Sequence, residues 1–176
     1  NFALTDAELN YILTQSGARA VFADEALQEE VDRCGAAPEI TGSIRSESGE
    51  RDVLAWAQAE GPTPVLDVEV TDTDVAQILY TSGTTAAPKG ATLTHRALVH
   101  HYASAVMALD ISGADRMVQA LPLYHSAQMH VFMMTGLLVG AEIWILEAPA
   151  PLRILDAIEQ HHINSFFAAP TVWIAL

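Results

Sequence analysis

Between residues 80 and 90 the chain reads Tyr80-Thr81-Ser82-Gly83-Thr84-Thr85-Ala86-Ala87-Pro88-Lys89-Gly90, with four aliphatic hydroxyls, two glycines and a lysine in one short segment. Hydroxyls and backbone N–H groups can converge on an anion while a lysine adds a point charge, so this combination suits phosphate oxygens. Lys89 is the only lysine in the sequence. The chain carries a formal charge of −14, a field that repels polyanions, so its one ammonium among hydroxyls marks a local site and not a basic surface. The chemistry it suggests is a grip on a nucleoside triphosphate. The Walker pattern G-x-x-x-x-G-K-[ST] has the same length from Gly83 to Lys89, but Pro88 replaces its second glycine and Gly90 its hydroxyl residue. Proline has no N–H to donate and the metal-binding hydroxyl is missing, so the Walker reading fails.

Other reactive side chains offer less. His100-His101 and His161-His162 are adjacent pairs that diverge on a helix and cannot clamp one metal as i, i+4 pairs do, and His125 to His130 gives no ready zinc spacing. No metal site is expected. Cys34 is alone, which excludes an internal disulfide or a cysteine metal cluster and fits a reducing cytoplasm. Trp56, Trp144 and Trp173 lie on apolar faces and are expected in the core.

The 176 residues suit one domain, and an apolar content of 51% with 17% charged residues fits a globular chain. The excess of 22 Asp and Glu over 8 Lys and Arg argues against nucleic acid and anionic lipid as partners. The longest apolar stretch, residues 127–146, is interrupted by His130, Gly136, Gly140 and Glu142, so no membrane span is expected. No basic stretch followed by an apolar one marks a secretory signal. The chain starts without methionine and stops inside an apolar segment, and it reads as a piece of something longer that self-associates when isolated.

The elements that must position the phosphate segment alternate between helix and strand periods. Thr5-Asp6-Ala7-Glu8 is a capping box that starts a helix with an apolar face through Leu9, Ile12 and Leu13 and a stop at Gly17. A short buried strand is predicted at 20–22, a helix at 25–33, a strand near 40–44 and a helix at 50–60. Residues 62–74 are linker-like, acidic and proline-bearing. Strand 75–80 leads into the hydroxyl segment, strand 91–94 returns, and helix 95–109 carries a stripe through Leu98, Tyr102, Ala105 and Leu109. Then come strand 117–121, helix 128–139, strand 141–146, helix 152–161 behind Pro151, and strand 165–169. Strands separated by helices predict a layered α/β sandwich with a mostly parallel sheet.

The phosphate segment resembles the loop of the adenylate-forming superfamily: acyl-CoA synthetases, luciferases and the adenylation domains of peptide synthetases. That pattern is roughly [YF]-T-S-G-[ST]-T-G-x-P-K-G. The chain matches it at Tyr80, Thr81, Ser82, Gly83, Thr84, Thr85, Pro88, Lys89 and Gly90 and departs at Ala86, where the family has glycine. Asp74 and Ala76 before the strand agree with it, as do Leu93-Thr94-His95 after the loop. Leu121-Pro122-Leu123-Tyr124-His125 looks like the P-L-[FY]-H block of acyl- and aryl-CoA ligases, and Gly140-Ala141 and Ala169-Pro170-Thr171 are weaker matches. The resemblance is strong from about residue 74 to 171 and looser before.

What the resemblance implies is part of the large N-terminal domain of an adenylate-forming enzyme: residues 1–61 a leading α/β portion, 62–74 linker-like, 75–176 the phosphate-loop portion, with later motifs and a C-terminal domain absent. It further implies an AMP-forming carboxylic acid–CoA ligase of fatty acid metabolism, whose substrates are ATP with Mg2+, a small carboxylic acid and coenzyme A. Thr81, Ser82, Gly83, Thr84, Thr85, Lys89 and Gly90 would bind the nucleotide. Lys89 would offset charge on the departing pyrophosphate, and His125 would line the acid pocket. The alternative, for which Ala86 is the motive, is a non-catalytic nucleotide-binding remnant or interaction module.

Overall fold

The capping box at Thr5 is formed on both sides. In α1 (Asp6–Ser16) the Glu8 N–H donates to the Thr5 hydroxyl at 3.3 Å, and the Thr5 N–H donates to the Glu8 carboxylate at 2.9 Å. Gly17 ends the helix in the left-handed region at φ 66°, as its sequence position predicts. The structure, a computed structural model, describes residues 3–44, 49, 51–62, 65–81 and 87–176. Contacts divide the chain into two units: Asn1–Val70 with Gln77–Thr92, and Thr71–Ala76 with Leu93–Leu176. The first unit thus takes in residues of the strands around the phosphate segment.

In the first unit, β1 (Ala20–Asp24) runs parallel to β2 (Ile40–Ile44), with Ala20 opposite Ile40 and Asp24 opposite Ile44. A single 3-10 turn, Glu25–Leu27, and α2 (Gln28–Arg33) make the crossover that parallel strands require. The Gln28 amide donates to the carbonyls of Ala23 and Gly42 at 3.1 and 2.9 Å and ties the two strand ends together. Residues 20–22 are not the buried strand expected from their apolar run: β1 alternates half-buried and exposed positions, and Phe22 is 46% exposed. Asp52 caps α3 (Val53–Gln58), accepting from the N–H groups of Leu54 and Ala55. The helix is shorter than 50–60, and Trp56 is exposed, against the expectation of a core residue. Residues 65–70 carry no regular structure. The strands β3 (Val75–Thr81) and β4 (Lys89–Thr94) are hydrogen-bonded neighbours in a sheet of two.

The second unit holds α4 (His95–Leu109), β5 (Arg116–Gln119), a π-helical stretch Ala127–Met133 that runs into α5 (Met134–Val139), β6 (Glu142–Ile145), α6 (Pro151–His161), β7 (Ser165–Phe166) and α7 (Pro170–Ala175). The predicted helix 128–139 is therefore two kinds of helix in series. The strands form a parallel sheet in the order β6-β5-β7; Met117 of β5 faces Ile143 on one side and Ser165 on the other. The core gathers Ile111, Met117 and Ala141, with Phe132, Val139 and Ile143 packed against them, and Phe132 stacks on Phe167 at 4.3 Å between centroids. Ile154 of α6 is wholly buried. Trp173 is exposed, a second departure from the core expectation, while Trp144 is half-buried and stacks on His161 at 4.7 Å. Among the described residues no helix is long and apolar enough to cross a membrane.

Candidate active site

The phosphate segment lies between two paired strands. Thr81 is the last residue of β3 and exposed; Lys89 and Gly90 open β4, two residues earlier than the predicted return strand. Ser82, Gly83, Thr84, Thr85 and Ala86 lie outside the described residues. Gly90 has a visible reason. A Cβ there would come within 2.8 Å of the Ile78 side chain and 3.0 Å of the Tyr80 ring, so only glycine lets β4 begin flush against β3. The Tyr80 hydroxyl donates to the Gln15 side chain of α1, which fixes that ring over Gly90. Lys89 is exposed and pairs with no carboxylate among the described residues, which leaves its ammonium available to an incoming anion.

The far ends of the same strands are fastened by polar contacts within the second unit. Asp74 accepts the Thr71 N–H at 2.7 Å, and its carbonyl accepts the His95 N–H at 3.2 Å. The Arg96 guanidinium makes a two-pronged contact with Asp72, at 2.8 and 3.0 Å, and its backbone N–H donates to the Asp72 carbonyl. That contact holds the Asp72 carboxyl below the ordinary carboxylate range. The Thr94 hydroxyl accepts the Ala97 N–H and caps α4. Asp74 and Thr94 were legible as motif flanks; the Asp72–Arg96 pair was not, because nothing in the spacing links the two residues.

His125 belongs to the second unit. It is exposed in the turn after β5, its N–H donating to the Pro122 carbonyl at 3.1 Å and its ring lying 4.6 Å from that of Tyr124. β5 is the middle strand, and the chain leaves it to β6 on one side and later reaches β7 on the other. In open α/β sheets, ligands bind outside the carboxyl ends of strands where the order reverses in this way. The Pro122-Leu123-Tyr124-His125 segment follows that end directly.

Beneath it lies a buried polar set that the sequence did not announce. The Tyr102 hydroxyl and His130 Nδ1 are 2.9 Å apart, the rings stacked at 5.9 Å, and His130 is only 3% exposed. Thr135, also buried, donates its hydroxyl to the His130 carbonyl at 3.0 Å. The buried Gln128 amide donates to the side chain of Gln119 at the end of β5. Burial lowers the His130 pKa, with nearby His101 adding to the effect, and raises that of Tyr102. The one signal in the sequence was Tyr102 on the apolar stripe of α4, where a hydroxyl needs a buried partner.

The AMP-binding enzyme family model matches residues 1–176. The chain is 32% identical over 176 residues to feruloyl-CoA synthase of Amycolatopsis sp and 28% identical over 181 residues to benzoate–CoA ligase of Thauera aromatica. In each case all of this chain and 34% of the relative are covered. Its fold is similar to the crystal structure of ATP-bound MatB from Rhodopseudomonas palustris, with a TM-score of 0.81 and 27% identity over 100% of this chain and 34% of that one. The chain thus spans about a third of the length of the relatives it matches.

Proposed function

The chain belongs to the AMP-binding enzyme family, and on that premise we propose that it is the phosphate grip and part of the acid pocket of an AMP-forming carboxylic acid–CoA ligase. In the first half-reaction a carboxylate oxygen attacks the α-phosphorus of ATP, the bond to the bridging oxygen breaks, and pyrophosphate leaves an acyl-adenylate. In the second, a thiol attacks the activated carbonyl and AMP leaves. Positioning and charge stabilisation supply most of the acceleration for such transfers. Thr81 and the Ser82, Thr84 and Thr85 hydroxyls hold the β- and γ-phosphates, Lys89 meets the charge that builds on the leaving pyrophosphate, and His125 lines the acid pocket.

The observation that supports the reading is the pair β3 and β4, which bracket the hydroxyl segment, with an exposed Lys89 that pairs with no carboxylate among the described residues at the start of β4. Mg2+ is proposed to enter with the nucleotide's phosphates and to neutralise part of their charge; among the described residues no three His, Cys, Asp or Glu side chains gather to hold a metal on their own. Coenzyme A is the proposed thiol. The names of feruloyl-CoA synthase and benzoate–CoA ligase favour an aromatic acid over a fatty acid as the first substrate to try. A cytoplasmic location and self-association of the isolated chain complete the proposal.

The test is acid-dependent ATP–pyrophosphate exchange and hydroxamate trapping by the full-length protein with ferulate, benzoate and palmitate. Exchange with at least one acid is expected. Nucleotide binding without exchange for any acid would instead favour the non-catalytic reading, for which the alanine at position 86 is the specific observation.

A further inference from the structure

The turn that carries His125 leads from β5 into the helical stretch that follows it. Its imidazole is exposed, and its backbone is fixed by two bonds: its N–H to the Pro122 carbonyl, and its carbonyl to the Met129 N–H, both at 3.1 Å. The second of these hands the turn on to the π-helical stretch Ala127–Met133. A π-helix is wider than an α-helix and is seldom kept over seven residues without external support. Here the support is polar and buried. His130, inside that stretch, meets Tyr102 of α4; Gln128 donates to Gln119 of β5; and Thr135 closes on the His130 carbonyl from the next turn. α4 and β5 thus hold the π-helical stretch at two buried residues, Gln128 and His130, within five residues of His125.

We propose that Tyr102 and His130 are positioning residues for His125: their buried hydrogen bond fixes the π-helical turn from which the His125 imidazole is presented to the acid. The inference rests on the acid-pocket role of His125 proposed above. Losing a hydroxyl changes little of the packed volume, so Tyr102→Phe tests the hydrogen bond and not the core. Because the pair acts through His125, its removal and the removal of His125 should not add.

The experiment is a double-mutant cycle on the full-length protein, with Tyr102→Phe, His125→Ala and the double variant. Acid-dependent pyrophosphate exchange is measured with ferulate, benzoate and palmitate. Tyr102→Phe should lower kcat/KM for the acid roughly three- to tenfold, the worth of about one buried hydrogen bond, and leave the KM for ATP unchanged. In the His125→Ala background it should have no further effect. A second arm guards against a folding artefact: His130→Asn keeps a polar partner for Tyr102 and should stay near the parent, whereas His130→Leu should behave like Tyr102→Phe. Effects of Tyr102→Phe and His125→Ala that multiply would overturn the positioning role, as would Tyr102→Phe kinetics equal to the parent; both leave the ligase reading standing. Unchanged acid kinetics in His125→Ala, or no exchange with any acid, would overturn the acid-pocket reading and this inference with it.

Discussion

The strands around the phosphate segment and the turn after β5 hold their reactive groups in opposite ways. Lys89 and Thr81 sit at the ends of adjacent strands, exposed, where neighbouring residues in sequence set the geometry. His125 is also exposed, but what supports it is gathered from α4, β5 and the π-helical stretch, through buried side chains 9 to 28 residues apart in sequence. The first arrangement is written in eleven consecutive letters. The second is a product of packing. A substitution in the first should change chemistry with little cost to folding, and one beneath the second should disturb both.

The largest effect should follow removal of packing under the second region. Met117 is 1% exposed at the centre of the β5 core, so Met117→Ala should cost about 2–5 kcal/mol of stability, read by denaturant unfolding. A loss under 1 kcal/mol would show that the His125 region does not depend on that core, and the contrast would collapse. Lys89→Ala comes next. Loss of a charge-assisted contact costs ~1.5–3 kcal/mol, so pyrophosphate exchange by the full-length protein should fall ~10- to 150-fold with the melting temperature unchanged. Unaltered exchange in a folded variant would remove Lys89 from the reaction.

His130 gives the contrast a pH axis. Its folded-state pKa is depressed by burial from the ordinary 6.5, so between the two values the unfolded chain binds the extra proton. Stability is full above the ordinary value and is lost as the pH falls below it. His130→Asn should flatten that decline in thermal melts, and an unflattened decline would assign the acid sensitivity to other groups. The smallest effect concerns Ala86. Should the family glycine there be left-handed, alanine costs on the order of 1–2 kcal/mol, and Ala86→Gly should lower the KM for ATP or speed adenylation. Identical kinetics would make the alanine a neutral variant and remove the motive for the non-catalytic reading.

Helix 95–109 and strand 40–44 appear in the structure with the bounds that sequence assigns them, because capping threonines, left-handed caps and apolar periods are local devices. The misreadings have non-local causes. Residues 20–22 looked buried because they are apolar, yet a sheet of two strands leaves Phe22 exposed. Trp56 is likewise exposed, and Trp173 stays exposed although its ring lies 5.0 Å from that of Phe166. Helix 128–139 has an ordinary apolar pattern, and its π-helical first half is visible only once Gln128 and His130 have found Gln119 and Tyr102. Of the site, the match to the phosphate pattern was fully legible, while the reason for Gly90, a close approach of Ile78 and Tyr80, required coordinates.

The place of β5 between two parallel partners also sets a clock. Met117 pairs with Ser165, which is translated long after it, so at ~5–20 residues per second β5 must wait roughly 2–10 s on the ribosome before its second neighbour has even been made. During that interval its far edge is open, in a strand that carries Met117 and Val118. Slower codons between β6 and β7 would lengthen the exposure, and a chaperone that binds short apolar strands would find its target there.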